Sequence, residues 1–128
     1  MNKITSTVKD EITFREAEGS LCKVELIAAI KEHTATLSTS MVVWDFTNAY
    51  AKDISSSDLK EIADTTIENY SHRPSTDKTA VIFASEPEMD LGNQVGKYLE
   101  ANDLPYKFKV FTDMHDALLW LYTNDEVS

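Results

Sequence analysis

The chain has 128 residues, of which 42% are apolar, and a net charge of −10 from 22 acidic and 12 basic side chains. The scattered basic residues and acidic excess repel nucleic-acid phosphate, and no run of about 18 apolar residues is present to span a membrane. Cys22 is the single cysteine, so an internal disulfide is excluded, and with no secretory signal in residues 1–10 a cytoplasmic protein of one domain, 1–128, is expected.

Residues 3–16, "KITSTVKDEITFRE", contain two short alternating segments. Ile4, Thr5 and Val8 belong to the first, and Ile12, Thr13 and Phe14 to the second. "KDE" between them is a turn, so a hairpin is predicted. Residues 19–37 then show helical spacing, with Val24, Ile27 and Ala28 as apolar positions and Leu26 and Ile30 alongside. Leu21 and Leu26 have the spacing of a hydrophobic staple. Cys22 takes the N-cap and Glu25 stands three residues on, as in a capping box.

"MVVWDF", residues 41–46, is a short run of β-branched and aromatic residues, as expected for a strand covered on both faces. "TNAYAKD" is predicted as a loop. The next helix is the clearest in the chain: Leu59, Ile62, Ala63, Thr66, Ile67 and Tyr70 fall on one face. It stops before Pro74. A buried strand is predicted over 78–84. A helix follows with Leu91, Val95, Tyr98 and Leu99 on one side. Gly92 and Gly96 lie one turn apart in it, at a cost of about 1 kcal/mol each relative to alanine. Two readings fit them: close approach of the helix to its sheet, or backbone access for a ligand. "YKFKVF" alternates as a strand, with Phe108 and Val110 on one face. The last helix has Met114, Ala117, Leu118, Leu121 and Tyr122 as its stripe, capped by Thr112 or Asp113.

The order ββαβαβαβα predicts an α/β fold. Strands separated by single helices imply right-handed crossovers and a largely parallel β-sheet; the N-terminal hairpin makes it mixed, with about four helices packed on it.

The element order and the stretch "MVVWDFTNAYAKDISSSDLKEIA" together resemble the STAS-type domains. These include the SpoIIAA-like anti-sigma-factor antagonists and the wider STAS/SEC14-like group of small bacterial proteins. "KTAVIFASEPEMDLGNQVGKYLE" is similar to the group's strand and glycine-containing helix, and "FKVFTDMHDALLWL" to its last strand and helix. The resemblance runs from the hairpin to Leu121. It implies a regulatory, non-enzymatic module acting through protein contacts, with a phosphorylated serine at the start of the helix after the third strand. The antagonists' local pattern there is Asp-Ser-Ser/Thr-Gly-Leu. Aligned on Leu59, Ser56 takes the phosphorylated position and Ser57 lies beside it. Ser55 stands in place of the aspartate and Asp58 in place of the glycine.

Those same residues have a structural reading. Ile54 and Leu59 have staple spacing, Ser55 is an N-cap and Asp58 its capping partner, a motif worth about 1 kcal/mol. A phosphate on Ser56 would meet the positive end of the helix dipole and, on the other side, the Asp58 carboxylate. Ser56, Ser57 and Asp58 are therefore candidates both for a modification or partner-contact site and for an ordinary first turn.

In parallel sheets, ligands lie outside the carboxyl ends of the strands. Those ends supply Asp45, Thr47, Asn48, Ser85, Glu86 and Thr112. This polar rim suits a small ligand, and equally suits capping and turn chemistry. His33, His72 and His115 sit on different elements and are expected, like Cys22, at the surface or at caps. No metal site, cofactor motif or catalytic constellation is present. Two functions follow. One is a regulatory interaction domain for a protein partner, with a homodimer among its possible assemblies. The other is a carrier or sensor of a small apolar or amphipathic ligand, which requires a cavity between sheet and helices.

Overall fold

The computed structural model describes residues 3–36, 39–51, 54–70, 73–102 and 106–123. Strands β1 (Ile4–Lys9) and β2 (Ile12–Leu21) open the chain. The two residues between them, Asp10 and Glu11, have φ of 52° and 67°. Positive φ at both positions is the requirement of a type I′ turn, whose twist matches a hairpin. The order continues as α1 (Lys23–Thr36), β3 (Met41–Ala51), α2 (Ser56–Tyr70), β4 (Lys78–Phe83), α3 (Glu86–Ala101), β5 (Lys107–Phe111) and α4 (Met114–Tyr122). The predicted element order and mixed sheet are both present. Among the described residues, no helix is long and apolar enough to cross a membrane.

The sheet order is β1-β2-β3-β4-β5. β1 runs antiparallel to β2, and β2 through β5 are parallel. Each crossover steps to the next strand in the same direction. Right-handed crossovers of that kind place every connecting helix on one face. Accordingly α2 packs between α1 and α3, while α4 packs against β4 and β5. Strand alternation sorts the core to match. Val42, Trp44 and Val81 join Ala29, Ile30 and Ile62 on the three-helix face. Ile12, Val43, Ala80 and Ile82 join Ala117 and Leu121 on the α4 face.

Two strands exceed their predicted lengths. β2 runs to Leu21 and β3 to Ala51, so residues 19–21, ahead of the predicted Cys22 cap, are strand, and Thr47–Ala51 are strand rather than loop. These extensions pair with each other, Glu18 with Asn48 through Leu21 with Ala51. Their Gly, Ser and Asn content disfavours strand locally, and the long-range pairing overrides it. The register shifts between Glu16 and Glu18, opposite Asp45 to Asn48, so β3 carries one extra residue there. That bulge changes the alternation, and Ala49 packs on Phe46, Leu21 and Leu26.

The buried side of α1 also differs from the predicted one. Val24 is 69% exposed and Ala28 is exposed, while Ala29, Ile30 and His33 are buried. The stripe facing the sheet is thus Leu26, Ala29, Ile30 and His33. The predicted cap is present: Cys22 N–H donates to Glu25 Oε1 at 3.0 Å, and Leu21 and Leu26 share one apolar cluster. At the end of α4, the buried Lys78 ammonium donates to the carbonyls of Trp120 at 3.0 Å and of Thr123. A cation on the last carbonyls satisfies acceptors that the helix leaves open and opposes the dipole.

Gly92 and Gly96 turn α3 toward the aromatic rings of the sheet. A Cβ at Gly92 would stand 2.4 Å from Phe83 Cε2, whereas one at Gly96 would meet Phe108 Cε1 at 3.4 Å, ordinary contact. Close helix–sheet approach therefore accounts for Gly92. Gly92→Ala is expected to destabilise the fold by about 1–3 kcal/mol through overpacking. Gly96→Ala is expected to stabilise it by up to about 1 kcal/mol through helix propensity. Urea denaturation of the two variants checks the opposite signs.

Candidate functional site

Between the sheet and the three helices on its face lies a cavity of about 150 Å³. One wall is a row of rings along the sheet. Trp44 and Phe46 stack at 6.0 Å and 15°, and Phe46 and Phe83 at 5.4 Å and 16°. The helices supply Leu26 and Ile30 from α1, Leu59 and Ile62 from α2, and Leu91, Gly92 and Val95 from α3. These are the apolar stripes that each helix must bury against a sheet.

The two ends of the cavity differ. At the carboxyl ends of the strands it is bounded by Tyr50, Ala51, Ile54 and Glu88, which are exposed or half-buried. This end forms where β3 overhangs β4, whose pairing stops at Phe46 with Phe83. At the amino ends it is bounded by His33, Thr66, Arg73, Thr79 and Tyr106, all buried. The first end is a mouth and the second a polar floor.

The floor is held by charged groups. Arg73 donates from Nε to Asp77 Oδ2 at 3.0 Å, from Nη1 to Thr79 Oγ1 at 2.8 Å and from Nη2 to the Ser40 carbonyl at 3.1 Å. Its guanidinium lies 4.1 Å from the centroid of Tyr106, a cation–π contact. Arg15 on β2 is also buried, 5.2 Å from the Trp44 ring, with Nη2 donating to the Ala29 carbonyl at 3.4 Å. His33 meets Trp44 edge-on at 5.2 Å. Burial, then the charges of Arg15 and Arg73, push the His33 pKa down to about 4. The imidazole is thus neutral in the folded protein at neutral pH. This corrects the expectation that His33 is a surface or cap residue. His115 is exposed, Cys22 is half-buried, and His72 lies outside the described residues.

Ser55, Ser56 and Ser57 lie beside the mouth, because α2 begins there. Ser55 N–H donates to Asp58 Oδ2 at 3.0 Å, and Asp58 N–H donates to Ser55 Oγ at 3.2 Å. Both halves of a capping box are present. The Ser55 N–H bond, helped by the Ser55 hydroxyl and by Lys23, holds the Asp58 carboxyl below its ordinary pKa. Lys23 Nζ stands 3.6 Å from Asp58 and 2.8 Å from Glu61. Ser56 and Ser57 are exposed first-turn residues.

The six rim residues stand apart from the cavity. Asp45 is on the strand position that follows Val43 on the α4 face, and its Oδ1 accepts from Thr47 N–H at 2.9 Å and from the Thr47 hydroxyl at 2.6 Å. This local ring sits at the bulge in β3, with Asn48 exposed after it. Ser85 is the N-cap position of α3 and Glu86 its first residue. Thr112 is exposed next to Asp113, whose Oδ1 caps α4 by accepting from His115 N–H. None of the six lines the cavity.

Sequence reasoning passed over Arg15 and Arg73, and misplaced His33. A signal existed for two of them. Arg15 occupies an inward position of an alternating strand, and His33 lies three residues after Ile30 and seven after Leu26. Among the described residues, no group of His, Cys, Asp and Glu is placed to hold a metal ion.

No family model matches the sequence, and no curated protein matches it. Solved structures do match. An anti-sigma factor antagonist from Mycobacterium paratuberculosis has a TM-score of 0.63 at 15% identity, covering 94% of this chain and 93% of that one. An uncharacterised protein of the DUF3478 family from Shewanella loihica, described as having a SpoIIAA-like fold, has a TM-score of 0.53 at 18% identity, covering 92% and 91%. At these identities the likeness is one of fold, and the fold is SpoIIAA-like.

His33 makes stability depend on pH. The unfolded chain binds a proton on this side chain below about pH 6.5, and the folded protein only near pH 4. The contribution of the neutral imidazole is complete above about pH 6.5 and is lost as pH falls toward 4, by on the order of 3 kcal/mol. His33→Leu is expected to flatten this part of the stability–pH curve relative to the parent. Urea midpoints at about pH 7 and about pH 5 measure the difference.

Proposed function

We propose that the protein is a non-enzymatic binding module that takes a small apolar or amphipathic molecule into the cavity beneath α1, α2 and α3, as a carrier or sensor. One observation supports this above the others: the chain keeps a cavity of about 150 Å³ in its main core, with a ring-lined wall and a mouth. Close packing is the rule for interiors. An apolar void of similar size in an engineered protein stays dry and takes up benzene. The mouth lies at the carboxyl ends of the parallel strands, where ligands of open α/β sheets bind.

Toluene is expected to raise the melting temperature of the purified protein, because a ligand that binds only the folded state stabilises it by mass action. Val95→Phe, which fills the space from α3, is expected to abolish that shift. Absence of any shift with toluene, together with no co-purified molecule in native mass spectrometry, would count against a ligand function.

A second reading rests on a different observation. The exposed hydroxyls of Ser56 and Ser57 occupy the first turn of α2, and one similar structure is that of an anti-sigma factor antagonist. This supports a regulatory module that contacts a protein partner through this turn, with phosphate on Ser56 as the switch. Incubation with cell lysate and ATP, followed by peptide mass spectrometry, is expected to place phosphate on Ser56. Unmodified serines at 55–57 under conditions that phosphorylate other lysate proteins leave the capping role alone.

A further inference from the structure

We infer that the ligand is an amine that enters tail-first: a phenyl-sized apolar group fills the cavity, and a primary ammonium stays at the mouth on the Glu88 carboxylate. This rests on the cavity being a ligand site, and it deepens that reading by naming the ligand's charge and direction.

The floor decides the direction. Its polar groups are engaged with the protein itself. Arg73 donates from Nε, Nη1 and Nη2 to Asp77, Thr79 and Ser40. The Thr66 hydroxyl donates to the Ile62 carbonyl at 2.9 Å, and His33 packs edge-on against Trp44. A polar head pushed to this end would break those bonds or lie buried without partners, and either is costly. Carbon lines the length between floor and mouth. The apolar end of a ligand therefore goes in first, and its polar end stays within reach of water.

The mouth decides the charge. Among the described residues, the two charged side chains that line the cavity are Arg73 at the floor and Glu88 at the mouth. Arg73 is paired with Asp77. Glu88 is half-buried in the first turn of α3, and among the described residues no hydrogen bond or ion pair holds its carboxylate. The dipole of α3 does not balance it: a helix N-terminus carries about half a positive charge, against the two carboxylates of Glu86 and Glu88 in that turn. Lys23, at the start of α1, is occupied by Asp58 and Glu61. A carboxylate at the rim of an apolar space attracts an ammonium and repels a second carboxylate. Tyr50, 57% exposed, is also at this end, and a tyrosine ring attracts a cation through its face.

Size and wall chemistry define the tail. A volume of about 150 Å³ takes a ring of roughly benzene's bulk. The Trp44, Phe46 and Phe83 rings favour an aryl group offset-stacked on them. A short methylene tether then leaves the nitrogen outside the cavity.

The test titrates 2-phenylethylamine, 2-phenylethanol and 3-phenylpropanoate into the full chain at low salt, read by protein NMR. The three share a tail and differ in the charge of the head. The amine is expected to bind about threefold more tightly than the alcohol, and the carboxylate about threefold more weakly, as suits a partly exposed ion pair. Glu88→Gln is expected to bring the amine within about twofold of the alcohol and to leave the alcohol unchanged. Val95→Phe is expected to abolish binding of both, because their shared tail loses its space. An amine less than about twofold tighter than the alcohol, or an advantage that survives Glu88→Gln, overturns the ammonium assignment while leaving a cavity ligand in place. Amine binding that survives Val95→Phe overturns tail-first entry. Binding of none of the three overturns the cavity reading and this inference with it.

Discussion

The structure depends on the direction of its crossovers. Each of the three βαβ steps moves to the next strand on the same side, so handedness alone commits α1, α2 and α3 to one face. Three helices must then share the width of four parallel strands, with α2 wedged between the others. The opposite face is left to α4, which covers β4 and β5 and is tied down at its end by Lys78. A doubly covered sheet thus has one thin layer and one thick layer. The thick layer is where space remains, and Gly92 brings α3 close to Phe83 at one side of that space.

Buried charge is handled differently on the two faces. On the α4 face, Lys78 places its ammonium on the carbonyls that a helix end leaves open, so the cation completes the helix. On the three-helix face, Arg73 is paired with Asp77 and covered by Tyr106, and Arg15 lies against Trp44. Guanidinium groups suit such places because they are weakly hydrated and lie flat on rings. Burial, with the two guanidinium charges adding to it, keeps the His33 imidazole neutral. A buried neutral histidine, one arginine and two threonines form the polar end of a mostly carbon-lined space.

The start of α2 joins the two functional readings in space. Ile54 and Leu59 line the cavity, while Ser55 and Asp58 between them close the capping box on the solvent side. One short segment therefore forms a wall of the mouth, stops the helix from fraying and displays Ser56 and Ser57. Lys23, reaching from α1 to Asp58 and Glu61, links the first turns of the two neighbouring helices. The Asp58 carboxylate is committed to the Ser55 N–H, and its charge stands next to any group added at Ser56.

The order of elements, the mixed sheet and the caps at Cys22, Ser55 and Asp113 were legible in the amino-acid sequence, because period, turn residues and capping partners act within a few positions. The inward stripe of α2 was likewise legible at Leu59, Ile62, Ala63 and Thr66, since its spacing is unbroken; the side chain of Tyr70 lies outside the described residues. The far halves of β2 and β3 were not legible. Their Gly, Ser and Asn residues look like loop, and only pairing between segments about thirty residues apart makes them strand. The buried side of α1 was decided by tertiary packing as well, because its apolar residues surround most of the helix and local period does not choose among them. The cavity and its floor belong wholly to the tertiary structure. His33, Thr66, Arg73 and Thr79 come from four separate stretches, and only the stacking of three helices on one sheet face brings them to the same end.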